Sequence, residues 1–249
     1  MINSLKVLIH QGKRYIKDVT CVEVPGIFRG RPVISLAKVN EEKLSDICPT
    51  GAITINPVCI DLGKCVFCGE CAFAFPEKIK FTKDYKLATN NRNNLLIYEG
   101  RDEPVKFDKS IVRPEIKGIF KDSLTLRQVS AGGDNSCELE LNSSNNVNFD
   151  ISRFGIEFTA SPRHADGIVI TGPITRNMAK PLELTCEAVP DPKVIILAGT
   201  DAISGGIFKD SPAIDRSFID NNFIDLYIPG NPVHPLAFIN GLLELRMTK

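Results

Sequence analysis

Two short stretches in the second half of the chain are apolar at every position, Ile168-Val169-Ile170 and Val194-Ile195-Ile196-Leu197. A strand with one wet face alternates apolar and polar residues, so unbroken runs predict strands covered on both faces. Residues 124–129, 155–159, 167–171, 193–198 and 225–228 read as short strands. Residues 175–188 and 235–247 predict helices, the second from Leu236, Ile239, Leu242/Leu243 and Leu245/Met247 recurring at helical spacing. Strands alternating with helices predict a parallel α/β sheet. Ligands of such sheets gather beyond the carboxyl ends of the strands. That rule selects the loops 130–137, 171–175, 199–206 and 229–235, all rich in Gly, Pro or small polar residues.

The first half is built differently. Ala52-Ile53-Thr54-Ile55 and Ile79-Lys80-Phe81 predict short strands flanking a turn-rich segment with little apolar material of its own. The Asn-rich run 90–94 and the charged stretch 99–121 predict connecting structure, partly extended. The expected organisation is therefore a small α+β unit over 1–85, a connection over 86–121 and a parallel-sheet unit over 122–249.

Composition narrows the function classes. The 249 residues carry 30 Lys+Arg against 30 Asp+Glu, a balance unlike the basic excess of nucleic-acid binders. No apolar run reaches the ~18 residues of a bilayer span. Met1-Ile2-Asn3-Ser4-Leu5-Lys6 lacks the apolar stretch and cleavage site of a secretory leader, so a cytoplasmic protein is expected, peripheral to a membrane at most and attached to it only through partners. The loop 199–206 has no Gly-Lys-Ser/Thr ending, which excludes a P-loop, and no Ser–His–Asp or Cys–His nucleophile signature is present.

The unusual feature is eight Cys, five of them between residues 48 and 71. Without a leader, and with length enough for an ordinary core, a disulfide framework does not explain them. Cys65-Val-Phe-Cys68-Gly-Glu-Cys71 is C-x2-C-x2-C, three thiolates that wrap one face of an iron–sulfur cube. In bacterial ferredoxins that run ends in x3-C-P, and the fourth Cys serves the other cluster. Here Phe75-Pro76 stands at that place, while upstream Cys48-Pro49 is such an ending without its own preceding cysteines. The half-motifs are complementary. They predict one [4Fe–4S] cluster on Cys48, Cys65, Cys68 and Cys71. A four-thiolate zinc site is the rival, since it also uses C-x2-C pairs, but it needs no third Cys at that spacing. Cys21 and Cys59 are expected as buried small hydrophobes.

A further set of motifs falls in order: Cys137-Glu138-Leu139-Glu140, Arg153-Phe154-Gly155-Ile156, Ser161-Pro162-Arg163-His164-Ala165-Asp166, Thr171-Gly172-Pro173-Ile174-Thr175, Glu187 to Lys193, Gly205-Gly206-Ile207-Phe208 and Ile228-Pro229-Gly230. Together they resemble the small subunit of group 4, energy-converting [NiFe] hydrogenases and the cluster-bearing quinone-site subunit of complex I, over about 122–246. The first part is similar to the ferredoxin-type subunit of formate-hydrogenlyase-like complexes, on Val22 to Ser35 and on Asp61-Leu62-Gly63-Lys64 before Cys65. The resemblance implies a ferredoxin-like unit fused to a flavodoxin-like one.

It also implies a proximal [4Fe–4S] cluster on four Cys, whose positions fall here on Asp134, Cys137, Asp201 and Asn231. Three of the four are oxygen side chains, whereas such clusters are held by thiolates. The expectation is that this cluster is lost and Cys137 persists as a small buried residue; a hard metal at Asp134 and Asp201 is the weaker reading. The resemblance implies an electron-transfer subunit docking a hydrogenase-large-subunit-like protein, with other redox subunits as partners. No nickel, flavin or nucleotide is expected in this chain. The alternative is a structural or regulatory subunit using the degenerate fold as a platform. Arg163-His164 are expected at the partner interface or as structural residues. Glu138 and Glu187 are expected near the cluster position, in helix-end hydrogen bonds rather than proton handling; His10 and His234 have no motif.

Overall fold

The protein is described here from a computed structural model covering residues 2–12 and 15–247. The first half contains helices α1 (Ile2–Gly12), α2 (Glu41–Asp46) and α3 (Glu70–Ala74). It also contains strands β1 (Pro32–Ile34), β2 (Ile53–Thr54), β3 (Cys59–Asp61), β4 (Ile79–Phe81) and β5 (Leu96–Tyr98). The second half runs β6 (Leu124–Ser130), α4 (Ser136–Ser143), β7 (Ile156–Phe158), β8 (Gly167–Thr171), α5 (Arg176–Ala188) and β9 (Val194–Ala198). It ends with α6 (Thr200–Ser204), α7 (Ser217–Asn221), β10 (Leu226–Ile228) and α8 (Pro235–Arg246). Among the described residues no helix is long and apolar enough to cross a membrane.

The five second-half strands form one sheet in the order β10-β9-β8-β6-β7, with every neighbouring pair parallel. The order is that of a flavodoxin-like sheet, and its direction of winding reverses between β6 and β8. The loops after those two strands meet there, where Ala131 N–H donates to Thr171 O at 2.8 Å and Thr175 N–H to Ala131 O at 3.0 Å.

The continuous apolar runs are explained by the two faces. Ile168, Ile170, Ile195 and Leu197 point into one core, and Val169, Val194, Ile196 and Ala198 into the other. Successive side chains of a strand leave on opposite faces, so a strand buried on both is apolar throughout. α4 and α8 cover one face with Cys137, Leu141, Leu236, Phe238, Ile239 and Leu242. The other is covered by Leu182 and Cys186 of α5 and by residues of the first half, including Leu44, Ile60, Leu62, Cys65 and Cys71. The cysteine-rich unit thus shares a core with the sheet.

That unit holds two small antiparallel sheets, β1-β4 and β2-β3-β5. β5 comes from the segment expected to connect the two units. α4 was not anticipated: Ser-Cys-Glu-Leu-Glu-Leu-Asn-Ser has no apolar stripe, and it buries Cys137, Glu138 and Leu141 by docking between loop and α8.

The connecting segment is pinned by Arg113, whose Nε and Nη2 donate to the two carboxylate oxygens of Asp225 at 2.8 and 2.9 Å. The Asp225 carboxylate is fully buried and also accepts from Ile195 N–H at 2.9 Å. Removing one partner strands a buried charge. Arg113→Ala is expected to lower the unfolding free energy by about 3–5 kcal/mol in urea titrations, against little change for the exposed Lys106→Ala.

Candidate functional site

Two polypeptide turns bring the predicted ligands together. After α2, the chain turns at Cys48, whose N–H donates to Ser45 O and whose carbonyl accepts from Gly51 N–H. Asp61, at the end of β3, shapes the second turn. Its carboxylate accepts from Gly63 N–H at 2.8 Å and from Arg92 at 2.6 Å, while its carbonyl accepts from Cys65 N–H at 2.9 Å. Between Cys65 and Cys71 the backbone passes through the left-handed region twice, at Phe67 (φ 53°) and Gly69 (φ 86°). Gly supplies that conformation freely, whereas Phe67 adopts it at a cost, and such residues cluster at functional sites.

Cys48, Cys65, Cys68 and Cys71 line one small cavity of about 20 Å³, walled by Ile47, Ile53, Ile60, Val66 and Phe81. Cys65 and Cys71 are buried, Cys48 is half-buried and Cys68 is exposed at the rim. Burial first, with the neighbouring cysteines adding, pushes the Cys65 thiol up to about 12 and the Cys71 thiol up to about 11. Phe67 N–H, which donates to Cys65 Sγ at 3.4 Å, opposes this at Cys65. Ala52 N–H donates to Cys48 Sγ at 3.2 Å. Four cysteines around one cavity, two of them buried and two met by amide donors, fit a centre that supplies the positive charge ionised thiolates need. The chemistry of this donor set fits an iron–sulfur cluster. Among the described residues, no three His, Cys, Asp or Glu side chains stand close enough to hold a single metal ion.

Spacing did not reveal what braces this cavity. Arg29 Nε donates to Phe67 O at 2.7 Å, and its side chain lies over Gly69, leaving 3.2 Å where a Cβ would sit. Lys209 Nζ donates to Thr50 O at 3.0 Å, and Thr200 Oγ1 to Cys65 O at 2.8 Å. Thr200 and Lys209 are separated from their partners by 135 and 159 residues, too far for any local pattern to show.

The second set of positions lies at the carboxyl edge of the sheet. Cys137 is buried in the first turn of α4, against Gly199, where a Cβ would stand 2.6 Å from its sulfur. Asp201 in α6 folds over Gly206, whose added Cβ would meet Oδ1 at 1.8 Å; this oxygen is buried without a partner. Asp134 is exposed and turned to its own loop, accepting from Ser136 N–H and Oγ at 2.9 and 2.6 Å, which holds its carboxyl below the usual range. Asn231 faces a different cavity of about 360 Å³, shared with Phe28, Arg29, Phe67 and His234. One sulfur and three oxygen-bearing side chains, two of them turned back on their own loops, do not fit an iron–sulfur cluster.

Other expectations are settled by placement. Cys59 is buried, but Cys21 is exposed, correcting the expectation for it, because it sits in the surface turn where its N–H reaches Asp18 O. Glu138 is buried and does not cap a helix end. Its Oε1 accepts from Ser130 Oγ at 2.6 Å and Thr171 Oγ1 at 2.7 Å, tying the ends of β6 and β8 at the switch point. Arg163, His164 and Glu187 are exposed. His234 caps α8 through Nδ1, which accepts from Leu236 N–H at 3.2 Å, and burial holds its pKa down. His10 lies on α1.

Burial, then the neighbouring Asp134, raises the Asp201 carboxyl to about 6 from 3.8, with Arg216 opposing and Glu138 adding. Between those values the native state binds more protons than the unfolded chain, so stability falls as pH rises through this window. Asp201→Asn is expected to abolish that fall and to raise stability at pH 7 by up to about 3 kcal/mol, read from unfolding titrations at pH 4.5 and 7.

Residues 135–245 match the family described as NADH ubiquinone oxidoreductase, 20 Kd subunit. The chain is 37% identical over 140 residues to formate hydrogenlyase subunit 7 of Escherichia coli (strain K12), covering 55% of this chain and 55% of that one. Thus it spans about half the length of that relative. It is 33% identical over 115 residues to the probable membrane-bound hydrogenase subunit mbhJ of Pyrococcus furiosus, covering 46% of this chain and 69% of the relative. To one of the subunits of the NADH-quinone oxidoreductase of Heliobacterium modesticaldum it is 35% identical over 160 residues, 63% of this chain and 90% of the relative. A solved chain of the archaeal membrane-bound sulfane sulfur reductase superposes with a TM-score of 0.46 at 31% identity, over 51% of this chain and 70% of that one. With about a third of positions identical across nine-tenths of one relative, the chain belongs to the NADH ubiquinone oxidoreductase 20 Kd subunit family.

Proposed function

We propose that this chain is an electron-transfer subunit of a hydrogenase-like or complex-I-like assembly, with one [4Fe–4S] cluster on Cys48, Cys65, Cys68 and Cys71 and none at the proximal position. The observation that carries the reading is the single cavity lined by all four cysteines, with amide donors on two of the sulfurs. The relatives' names place them in formate hydrogenlyase, a membrane-bound hydrogenase and NADH-quinone oxidoreductase, which supports partners of the same kind here. When bound, the cluster supplies one-electron exchange at a potential tuned by charge, hydrogen bonds and exposure.

The chain's own residues define how the centre is held and reached. Asp61 and the left-handed Phe67 and Gly69 aim the thiols inward, and Ile47, Ile53, Ile60 and Phe81 exclude water on the inner side. Exposed Cys68 marks the side from which a redox partner approaches. Thr200 joins the inner side to the carboxyl-edge loops, the face proposed to dock a large subunit. Asp134, Cys137, Asp201 and Asn231 hold no cluster, so electrons bound for such a partner leave from the cysteine-rich unit itself.

Protein purified without oxygen is expected to hold about four iron and about four acid-labile sulfide per chain. Cys65→Ser and Cys71→Ser should each lose most of both, while Cys137→Ser and Cys186→Ser keep them. About eight of each, or loss of half in Cys137→Ser, contradicts the reading. Zinc in place of iron contradicts it as well.

A further inference from the structure

α1 presents large apolar side chains to solvent. Leu5, Val7, Leu8 and Ile9 are 60%, 58%, 72% and 53% exposed, although the helix spans eleven residues. At about 100° per residue, Leu5, Leu8 and Ile9 (i, i+3, i+4) form one stripe, with Lys6 on its flank. An isolated helix of this length is marginal in water and draws its stability from whatever covers its apolar face. Its root is fixed: Ile16 N–H donates to Asn148 O at 2.9 Å, and the Arg153 guanidinium lies 5.4 Å from the Tyr15 ring centre. The stripe thus precedes, in sequence, a segment at Tyr15 and Ile16 that is held against the body.

Charge says what covers it. The chain as a whole balances 30 Lys+Arg with 30 Asp+Glu, yet residues 1–17 hold Lys6, Lys13, Arg14 and Lys17 and no acidic residue. An apolar groove on a protein asks only for the stripe. A stretch of sequence around it that carries several cations and no acid asks for a surface that is apolar within and anionic at its boundary. That combination is the signature of a helix lying in a lipid interface, with long basic side chains reaching for headgroups. We propose that α1 is a membrane-surface helix that inserts Leu5, Leu8 and Ile9 into a bilayer rich in anionic lipid. This inference is independent of the cluster, because it uses none of the cysteine-rich unit.

Flotation of the full-length, iron-loaded protein with vesicles tests it. Binding is expected with phosphatidylcholine–phosphatidylglycerol vesicles and weakens at least about tenfold with phosphatidylcholine alone, as the neighbouring cations lose their partners. It should also weaken as salt shortens the Debye length from about 10 Å at 0.1 M to about 3 Å at 1 M. The double variant Leu5→Glu/Leu8→Glu should abolish binding and keep its iron, since these side chains are exposed. No binding of the unaltered chain to anionic vesicles overturns the proposal, as does equal binding by the double variant. Self-association that the double variant loses, with no lipid binding, assigns the stripe to a second copy and also overturns it.

Discussion

The buried hydrogen bond from Thr200 Oγ1 to the carbonyl of Cys65, at 2.8 Å, joins the two chemistries of this molecule. On one side of it lie the turns that carry Cys48, Cys65, Cys68 and Cys71; on the other lies α6, where Asp201 stands at a position for which the sequence resemblance implies a cluster ligand. A short cysteine-rich unit has little core to hold its own shape, and a bound metal centre contributes much of the stability of such units. Here the unit also borrows a core. Leu44, Ile60 and Leu62 pack in the same cluster as Ile168, Ile170, Ile195 and Leu197 of the sheet. Arg29 and Lys209 add braces to the turn carbonyls of Phe67 and Thr50. The geometry of the thiols is thus set largely from outside their own segment.

The same packing accounts for the state of the carboxyl-edge loops. At a sheet switch point, the ends of β6 and β8 usually frame a ligand. Here Glu138 bridges Ser130 and Thr171, Gly133 and Gly172 approach closely, and Cys137 rests against Gly199. The loops are stabilised by contacts among their own side chains. What remains is a buried carboxylate, Asp201, with an unpartnered oxygen and acidic neighbours, a costly arrangement in a protein interior. Its main effect is on stability against pH.

Much of this was legible in the sequence for identifiable reasons. The parallel strands were readable because burial on both faces leaves unbroken apolar runs, and Ile168–Ile170 alternate between the two cores as that argument requires. The convergence of the four cysteines on one cavity was readable because a C-x2-C-x2-C run and a distant Cys-Pro have the spacing that an iron–sulfur cube would require. α4 was not readable, because Ser136–Ser143 lacks an apolar stripe and is helical through docking. Cys21 was misplaced because cysteine is buried as a tendency of its type, and a single residue in a surface turn escapes it. The braces from Arg29, Thr200 and Lys209 leave no local signal, since each depends on the fold to bring distant residues together.

The central claim is a single cluster per chain, on the cysteine-rich unit alone. Electron paramagnetic resonance of the protein reduced stepwise to low potential tests it most directly, with spins counted against chains. The account predicts one S = 1/2 signal integrating to about one spin per chain, unbroadened by a neighbour and unchanged in Cys137→Ser. Two interacting spins per chain, one of them lost with Cys137, would contradict it.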